Sequence, residues 1–293
     1  MVSYSPETVK GFDVNIYYVK RADGTVCRPA EGMFNDVTCF CDARAIREDP
    51  ELVAVSENGL ALRRNRRLNL PWDYVCPTHE GYRAGLRRFL EDLGKENVEG
   101  VILNLYHFPE ESFCTCPRCR ELQRKSGLGW MDWRVKTVTD FVEEARELVG
   151  GSKAFAVEIW PDPVLSRERF GVDFDMLSRF LDFFHVPLSA HDYTTMYWVD
   201  MLTRIFVRIL DKPVYVELSA EMPGDARING LLKTMAYVSR HDVEGIFLLV
   251  YDKENARRVC EYAVRNVELQ NWFRTHGFSR MLEIVDQWRQ IYG

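Results

Sequence analysis

"WMDWRVKTVTDFVEEARELVGGSKAFAVEIW", residues 130–160, holds one full period of this chain. Trp130, Trp133, Val135, Val138, Phe141, Val142, Ala145 and Leu148 recur at helical spacing and give a helix one apolar face. Gly150 and Gly151 close it, because glycine accepts the left-handed backbone that ends a helix. "AFAVEIW" (154–160) then reads as a strand. A helix that runs through two glycines into an almost continuously apolar strand is the unit of a parallel βα repeat.

The same rhythm runs through the chain. Further strands are expected at "DVNIYYVK" (13–20), "DVTCFCDA" (36–43), "GVILNLYHF" (100–108), "FHVPLSAH" (184–191), "PVYVELSA" (213–220) and "GIFLLVY" (245–251). Helical stripes separate most of them. Thr78 is placed as an N-cap for the stripe Tyr82, Leu86, Phe89, Leu90 and Leu93, with Gly94 as its end. Met176, Leu177, Phe180 and Leu181 form another stripe. Helices are also expected over 194–210, 226–240, 255–275 and from 279 onward.

Seven strands in this alternation predict a (β/α)₈ TIM barrel, read as one domain over residues 1–293. Its first strand lies in the opening residues, or the barrel is irregular or incomplete there. A doubly wound open sheet is the alternative, but no glycine-rich phosphate loop follows any strand, so its dinucleotide-binding version loses support. Residues 44–78 break the rhythm as a long excursion that follows a strand, and in a barrel it would rise on the catalytic face.

The formal net charge of −6 argues against a nucleic-acid partner. "RRNRR" (63–67) reads as a solvated basic loop. There is no signal-peptide pattern and no apolar run of membrane-span length, so a cytoplasmic protein without a membrane partner is expected. Nothing in the sequence excludes a homo-oligomer.

Alternation along the strands sorts the polar residues. In 213–221, Val214, Val216 and Leu218 form one face, and Tyr215, Glu217, Ser219 and Glu221 the other. Glu158 shares a face with Ala156 and Trp160, Asn104 with Tyr106, and His185 with Ser189 and His191. Asp42 closes the second expected strand and Tyr251 the last. Polar groups at the C-terminal ends of barrel strands are the usual material of an active site. Carboxylates with aromatic platforms suit a sugar, and glycoside hydrolysis needs two carboxyls beside the bond. The candidate catalytic residues are therefore Glu158, Glu217 and Glu221. The candidate substrate-binding residues are Asp42, Asn104, Tyr106, Trp160, His191 and Tyr251. His185 and His191 read as interior histidines rather than metal ligands.

"FCTCPRCREL" (113–122) places Cys114, Cys116 and Cys119 at the spacing that wraps a tetrahedral Zn²⁺. Cys76 is the best fourth ligand, with His107 and Cys41 in reserve. Four protein ligands make the zinc structural, because a catalytic zinc keeps an open position.

The run "WDYVCPTHEGYRAGLRRFLEDL", then a strand, then "FCTCPRCREL", resembles the catalytic barrel of the zinc-containing β-galactosidases of the large retaining clan. It also resembles a looser set of glycosidase-like barrels, whose excursion here reads "DPELVAVSENG". The resemblance covers residues 49–127. It implies Cys76, Cys114, Cys116 and Cys119 as zinc ligands, and Asn104 as the residue that contacts the sugar hydroxyl beside the cleaved bond. The family acid/base would come next, where this chain has Leu105. The nucleophile would close the seventh strand, as Glu217 or Glu221. The resulting expectation is a retaining glycosidase acting on a small glycoside or oligosaccharide, with Glu158 replacing the missing acid and two carboxyls about 5–5.5 Å apart. The alternative is a catalytically degenerate sugar-binding barrel. A third reading, a zinc barrel transglycosylase acting on tRNA, shares the knuckle but needs a histidine ligand, and no histidine occurs between Cys119 and His185.

Overall fold

The opening residues do supply the first strand. In the computed structural model, β1 (Val2–Ser3) is only two residues long. It pairs in parallel with β2 (Ile16–Lys20) through Val2↔Ile16 and with the last strand through Val2↔Leu249. Two residues are too short to show a period, so the strand is silent in the sequence. The structure describes residues 1–188, 195–220, 224–250 and 252–293. His191, Glu221 and Tyr251, with Ser189 and Tyr193, lie outside them.

β3 (Phe34–Thr38) follows, then a small antiparallel pair, β4 (Val55–Ser56) and β5 (Gly59–Leu60). The remaining strands are β6 (Gly100–Asn104), β7 (Ala154–Glu158), β8 (Phe183–Pro187), β9 (Val214–Ser219) and β10 (Gly245–Val250). Eight of the ten close into a barrel in the order β1-β10-β9-β8-β7-β6-β3-β2. This is the (β/α)₈ architecture that the helix–strand rhythm requires. No helix among the described residues is long and apolar enough to cross a membrane.

The helices mostly follow their stripes. α1 (Ala43–Glu48) is capped by Asp42 and opens the excursion. α2 (Glu80–Lys95) begins one residue later than expected: His79, not Thr78, accepts the N–H of Tyr82. Gly94 does not end α2 either. A side chain there would sit 2.7 Å from the Leu148 carbonyl, so this glycine permits close helix packing. α3 (Pro117–Ser126) starts inside the cysteine knuckle. α4 (Trp130–Val149) buries Trp133, Val135, Val138, Phe141, Val142 and Ala145, at about 1.5–3 kcal/mol for each large apolar side chain.

α5 (Ser166–Phe170) and α6 (Phe174–Leu177) are short, and the stripe at 176–181 yields one helical turn followed by a 3₁₀ turn. α7 (Met196–Ile209) and α8 (Asp225–Val238) pack on β9. The expected helix over 255–275 is two helices, α9 (Lys253–Arg265) and α10 (Val267–Thr275), because the Asn266 side chain leaves the helix to cap the Leu269 N–H. α11 (Ser279–Tyr292) is last.

The chain forms two compact units. One comprises Met1–Tyr18, Ile159–Pro161 and Phe183–Gly293, the other Val19–Glu158 and Asp162–Asp182. In the first, an aromatic layer lies on one face of β8–β10. Tyr215 and Phe247 stack with centroids 4.6 Å apart, and a side chain on Gly245 would meet the Tyr215 ring at 2.8 Å. In the second, the excursion is a folded element rather than a slack loop. Ile46, Leu52, Val53, Leu62 and Val75 give it a core of its own, and bridges Cys41↔Tyr74 and Val53↔Val75 fasten it.

Candidate functional site

Two features of the second unit carry chemistry, and the cysteines are the more sharply defined. Cys76 arrives from the end of the excursion, its N–H bonded to the Leu52 carbonyl at 2.7 Å. Cys116 is the N-cap of α3 with Pro117 at the first helical position, and Cys119 lies one turn on. The Sγ atoms of Cys76, Cys114, Cys116 and Cys119 lie within 4.8 Å of one another. Cys76 Sγ is 3.5 Å from Cys119 Sγ and 3.8 Å from Cys116 Sγ. A tetrahedral metal with bonds near 2.3 Å sets its sulfurs about 3.8 Å apart. All four are free cysteines, and three are buried.

The donor set therefore fits a closed metal site. His107 and Cys41 are not part of the group, and no histidine among the described residues belongs to it. His107 instead bonds the Phe108 carbonyl through Nδ1 at 2.7 Å and packs against Phe170. Burial pushes its pKa down to about 4.

The surroundings hold the sulfurs from outside. The Val55 N–H donates to Cys114 Sγ at 3.3 Å, and Thr78 Oγ1 lies 3.1 Å from Cys119 Sγ. Thr115 donates its backbone N–H to the Val55 carbonyl at 2.7 Å. The cluster thus joins the excursion to the loop after β6. Within the cluster, hydrogen bonds from Cys114, Cys119 and Cys76 hold the Cys116 thiol far below its ordinary range. Contacts with Cys114, Cys116 and Cys76 drive the Cys119 thiol up. Crowded thiolates repel, and a bound cation is the usual remedy.

The second feature gathers at β3, β6 and β7. Asp36 lies in mid-strand and is fully buried, and one of its carboxylate oxygens lies within 4.8 Å of one on Glu158. Glu158 is half-buried and ends β7. Asp36 is no candidate in the sequence, where it stands as the first residue of its expected strand at 36–43. The strand begins at Phe34, so Phe34, Asp36 and Thr38 share one face. That alternation was the signal available. Asn104 ends β6 and is buried.

Leu105 follows with φ 48, a left-handed backbone costing about 1–3 kcal/mol for a residue with a side chain. Its carbonyl accepts the Phe40 N–H at 2.9 Å, and that of Asn104 accepts the Cys39 N–H at 2.8 Å. Tyr106 comes next, fully buried, and its hydroxyl finds no partner among the described residues. Burial, then the charges of Cys39 and Glu158, push that phenol well up.

Asp42 is committed elsewhere. Its Oδ1 caps α1 through the Ala45 N–H at 2.8 Å, and its Oδ2 accepts from buried Lys20 Nζ at 3.1 Å. Tyr82 donates its hydroxyl proton to the Cys39 carbonyl at 2.9 Å and lies 3.1 Å from Lys20 Nζ. Through these bonds Asp42 anchors the root of the excursion.

In the first unit, Glu217 and His185 are both buried and form a pair, with Nε2 3.2 Å from Oε2. The His185 ring meets Phe247 edge-on at 5.1 Å. Trp160 is half-buried in the same unit.

No protein-family model and no curated protein matches the chain. Solved structures do. An alpha-L-fucosidase isoenzyme 2 from Paenibacillus thiaminolyticus aligns with TM-score 0.55 and 10% identity, over 84% of this chain and 43% of that one. A chitinase from Rhizomucor miehei aligns with TM-score 0.48 and 10% identity, over 86% and 93%. The glycoside hydrolase domain of PelA from Pseudomonas aeruginosa aligns with TM-score 0.47 and 12% identity, over 83% and 89%. The chain spans under half the length of the fucosidase it matches. At this identity the likeness concerns the fold alone, a closed barrel of eight parallel strands with surrounding helices.

Proposed function

We propose that this chain is a carbohydrate-active barrel that works as a retaining glycosidase on a small glycoside or oligosaccharide, with Glu158 as the acid/base. The observation that carries the reading is the approach of the Asp36 and Glu158 carboxylates to within 4.8 Å. Two carboxylates this close repel, and one proton held between them relieves the repulsion. Glu158 is the more exposed partner. That favours Glu158 as the group that would hand the proton to the leaving-group oxygen and later take one from water. The nucleophile would come from β9. Glu217 is buried and paired with His185, which favours Glu221, the next carboxylate of the same alternation, for attack on the anomeric carbon. Asn104 would accept or donate at a neighbouring sugar hydroxyl, with Tyr106 and Trp160 beside the ring. The four cysteines would hold a structural zinc that keeps the loop after β6 in place.

A panel of nitrophenyl glycosides tests this. Wild-type turnover is expected, with Glu221→Gly inactive and rescued by azide. Glu158→Gln should lose at least about 100-fold on poor leaving groups and much less on activated ones. A Glu158→Gln variant that loses nothing on a poor leaving group removes Glu158 from the mechanism.

The second reading, a sugar-binding barrel without catalysis, is favoured by Leu105, which is buried where the resemblance places the family acid. Its signature is sugar binding by wild type with no turnover of any glycoside.

A further inference from the structure

The basic run at 63–67 finds no use in the function above. Arg63, Arg64, Arg66 and Arg67 are all exposed. None of them makes an ion pair with a described carboxylate, although exposed arginines elsewhere do, as in Arg44–Glu48, Arg124–Glu121 and Arg257–Glu261. The chain has 44 acidic and 38 basic residues, so acids to pair with are in excess. Four neighbouring cations left uncompensated in an acidic protein form a local positive field.

Their loop is built, not slack. The Asp73 carboxylate accepts the Arg63 N–H at 2.7 Å. The Asn65 side chain donates to the Leu60 carbonyl at 3.1 Å and accepts the Arg67 N–H at 3.3 Å. Beside it, Trp72 is 39% exposed. The loop is the tip of the excursion, which the Val55–Cys114 and Val55–Thr115 bonds tie to the loop after β6, in the same unit as Asn104, Tyr106 and Glu158.

We propose that residues 63–72 form a binding surface for a carboxylated glycan. The arginines would pair with its acid groups, and Trp72 would lie against a sugar ring. A guanidinium fork matches a planar carboxylate with two parallel hydrogen bonds. The indole offers a flat apolar face to the C–H side of the ring. Nucleic acid is the weaker fit: duplex DNA carries a charge every ~1.7 Å and needs a broad basic face, whereas the positive charge here is confined to one loop. The proposal names the substrate class of the proposed glycosidase and rests on that reading for its place beside the site.

The test uses the whole chain as wild type, as the Arg63/Arg64/Arg66/Arg67→Ser variant and as Trp72→Ala. Probes are polygalacturonate, neutral dextran and a DNA duplex, at about 50 and 300 mM salt to vary screening. Wild type should bind polygalacturonate at low salt, about tenfold more weakly at high salt, and dextran not at all. The arginine variant should lose at least about tenfold in polygalacturonate affinity. Trp72→Ala should weaken polygalacturonate but not DNA. The melting temperature should be unchanged in both variants. Absent polygalacturonate binding, an unaffected arginine variant, or DNA bound as tightly as polygalacturonate by wild type each overturns the proposal. Turnover without polygalacturonate binding sinks this inference alone. Arginine-dependent polygalacturonate binding without turnover of any glycoside sinks the catalytic reading alone.

Discussion

Arg134 and the arginines at 63–67 carry the same group in opposite surroundings. Arg134 is 1% exposed and donates to the carbonyls of Glu168, Arg169 and Glu110 at 2.6–2.9 Å. Its guanidinium also covers the Phe108 ring at 4.9 Å, and burial pushes its pKa down to about 10. It is a strut that binds the loop after β6 to α5. The guanidinium groups of the tip arginines make no ion pair among the described residues; only the backbone N–H groups of Arg63 and Arg67 bond within the loop. The first kind of cation has its donors used by the fold; the second keeps them for something outside it. The same contrast separates the two parts of the excursion loop: a root fixed by the cysteines and by Lys20–Asp42, and a tip whose arginine side chains make no ion pair among the described residues.

Removing metal should have the largest effect. Chelation, or Cys119→Ala, is expected to lower the melting temperature by about 10 °C or more, since a structural site contributes directly to folding. Metal analysis of wild type should give one zinc per chain. A chelator that leaves the melting curve unmoved would detach the cysteines from the scaffold. Arg134→Met should come next, at about 3 kcal/mol in denaturant unfolding, because the half-buried Glu110, Glu168 and Arg169 lose the donor to their carbonyls. A loss below about 1 kcal/mol would place Arg134 with the tip arginines instead.

His107 offers a pH test of the same scaffold. Its folded pKa of about 4 lies below the ordinary 6.5, so the unfolded chain binds the proton first. Stability is then full above about pH 6.5 and falls as pH drops toward 4, by about 3 kcal/mol in all. His107→Phe should flatten that slope; an unchanged slope would clear His107 of it. Smallest of all, Arg64→Ser is expected to shift stability by no more than about 0.5 kcal/mol. A larger loss would mean the tip is structural.

Much of the barrel was legible because its strands and helices are long enough to show a period. The cysteine group was legible because three of its cysteines are close in sequence, and Cys76 precedes a recognisable helix. The misses have local causes. Thr78 looked like a cap, but its hydroxyl faces Cys119 and Cys76, and His79 takes the role. Gly94 looked like a stop, but it clears space for the end of α4. Arg134 sits inside the stretch 130–160, where a charged residue between apolar positions reads as a solvent face. Asp36 stood at an assumed strand boundary, so its interior face went unread.

Sequence alone determined the repeat, the apolar faces and the ligand types, because these depend on spacing within one segment. Only the tertiary structure decided which carboxylates meet, that Glu217 is paired with His185, that Asp42 is an anchor, and that four arginine side chains make no ion pair among the described residues. Those outcomes depend on side chains far apart in the chain, and no local period encodes which of them arrive at the same place.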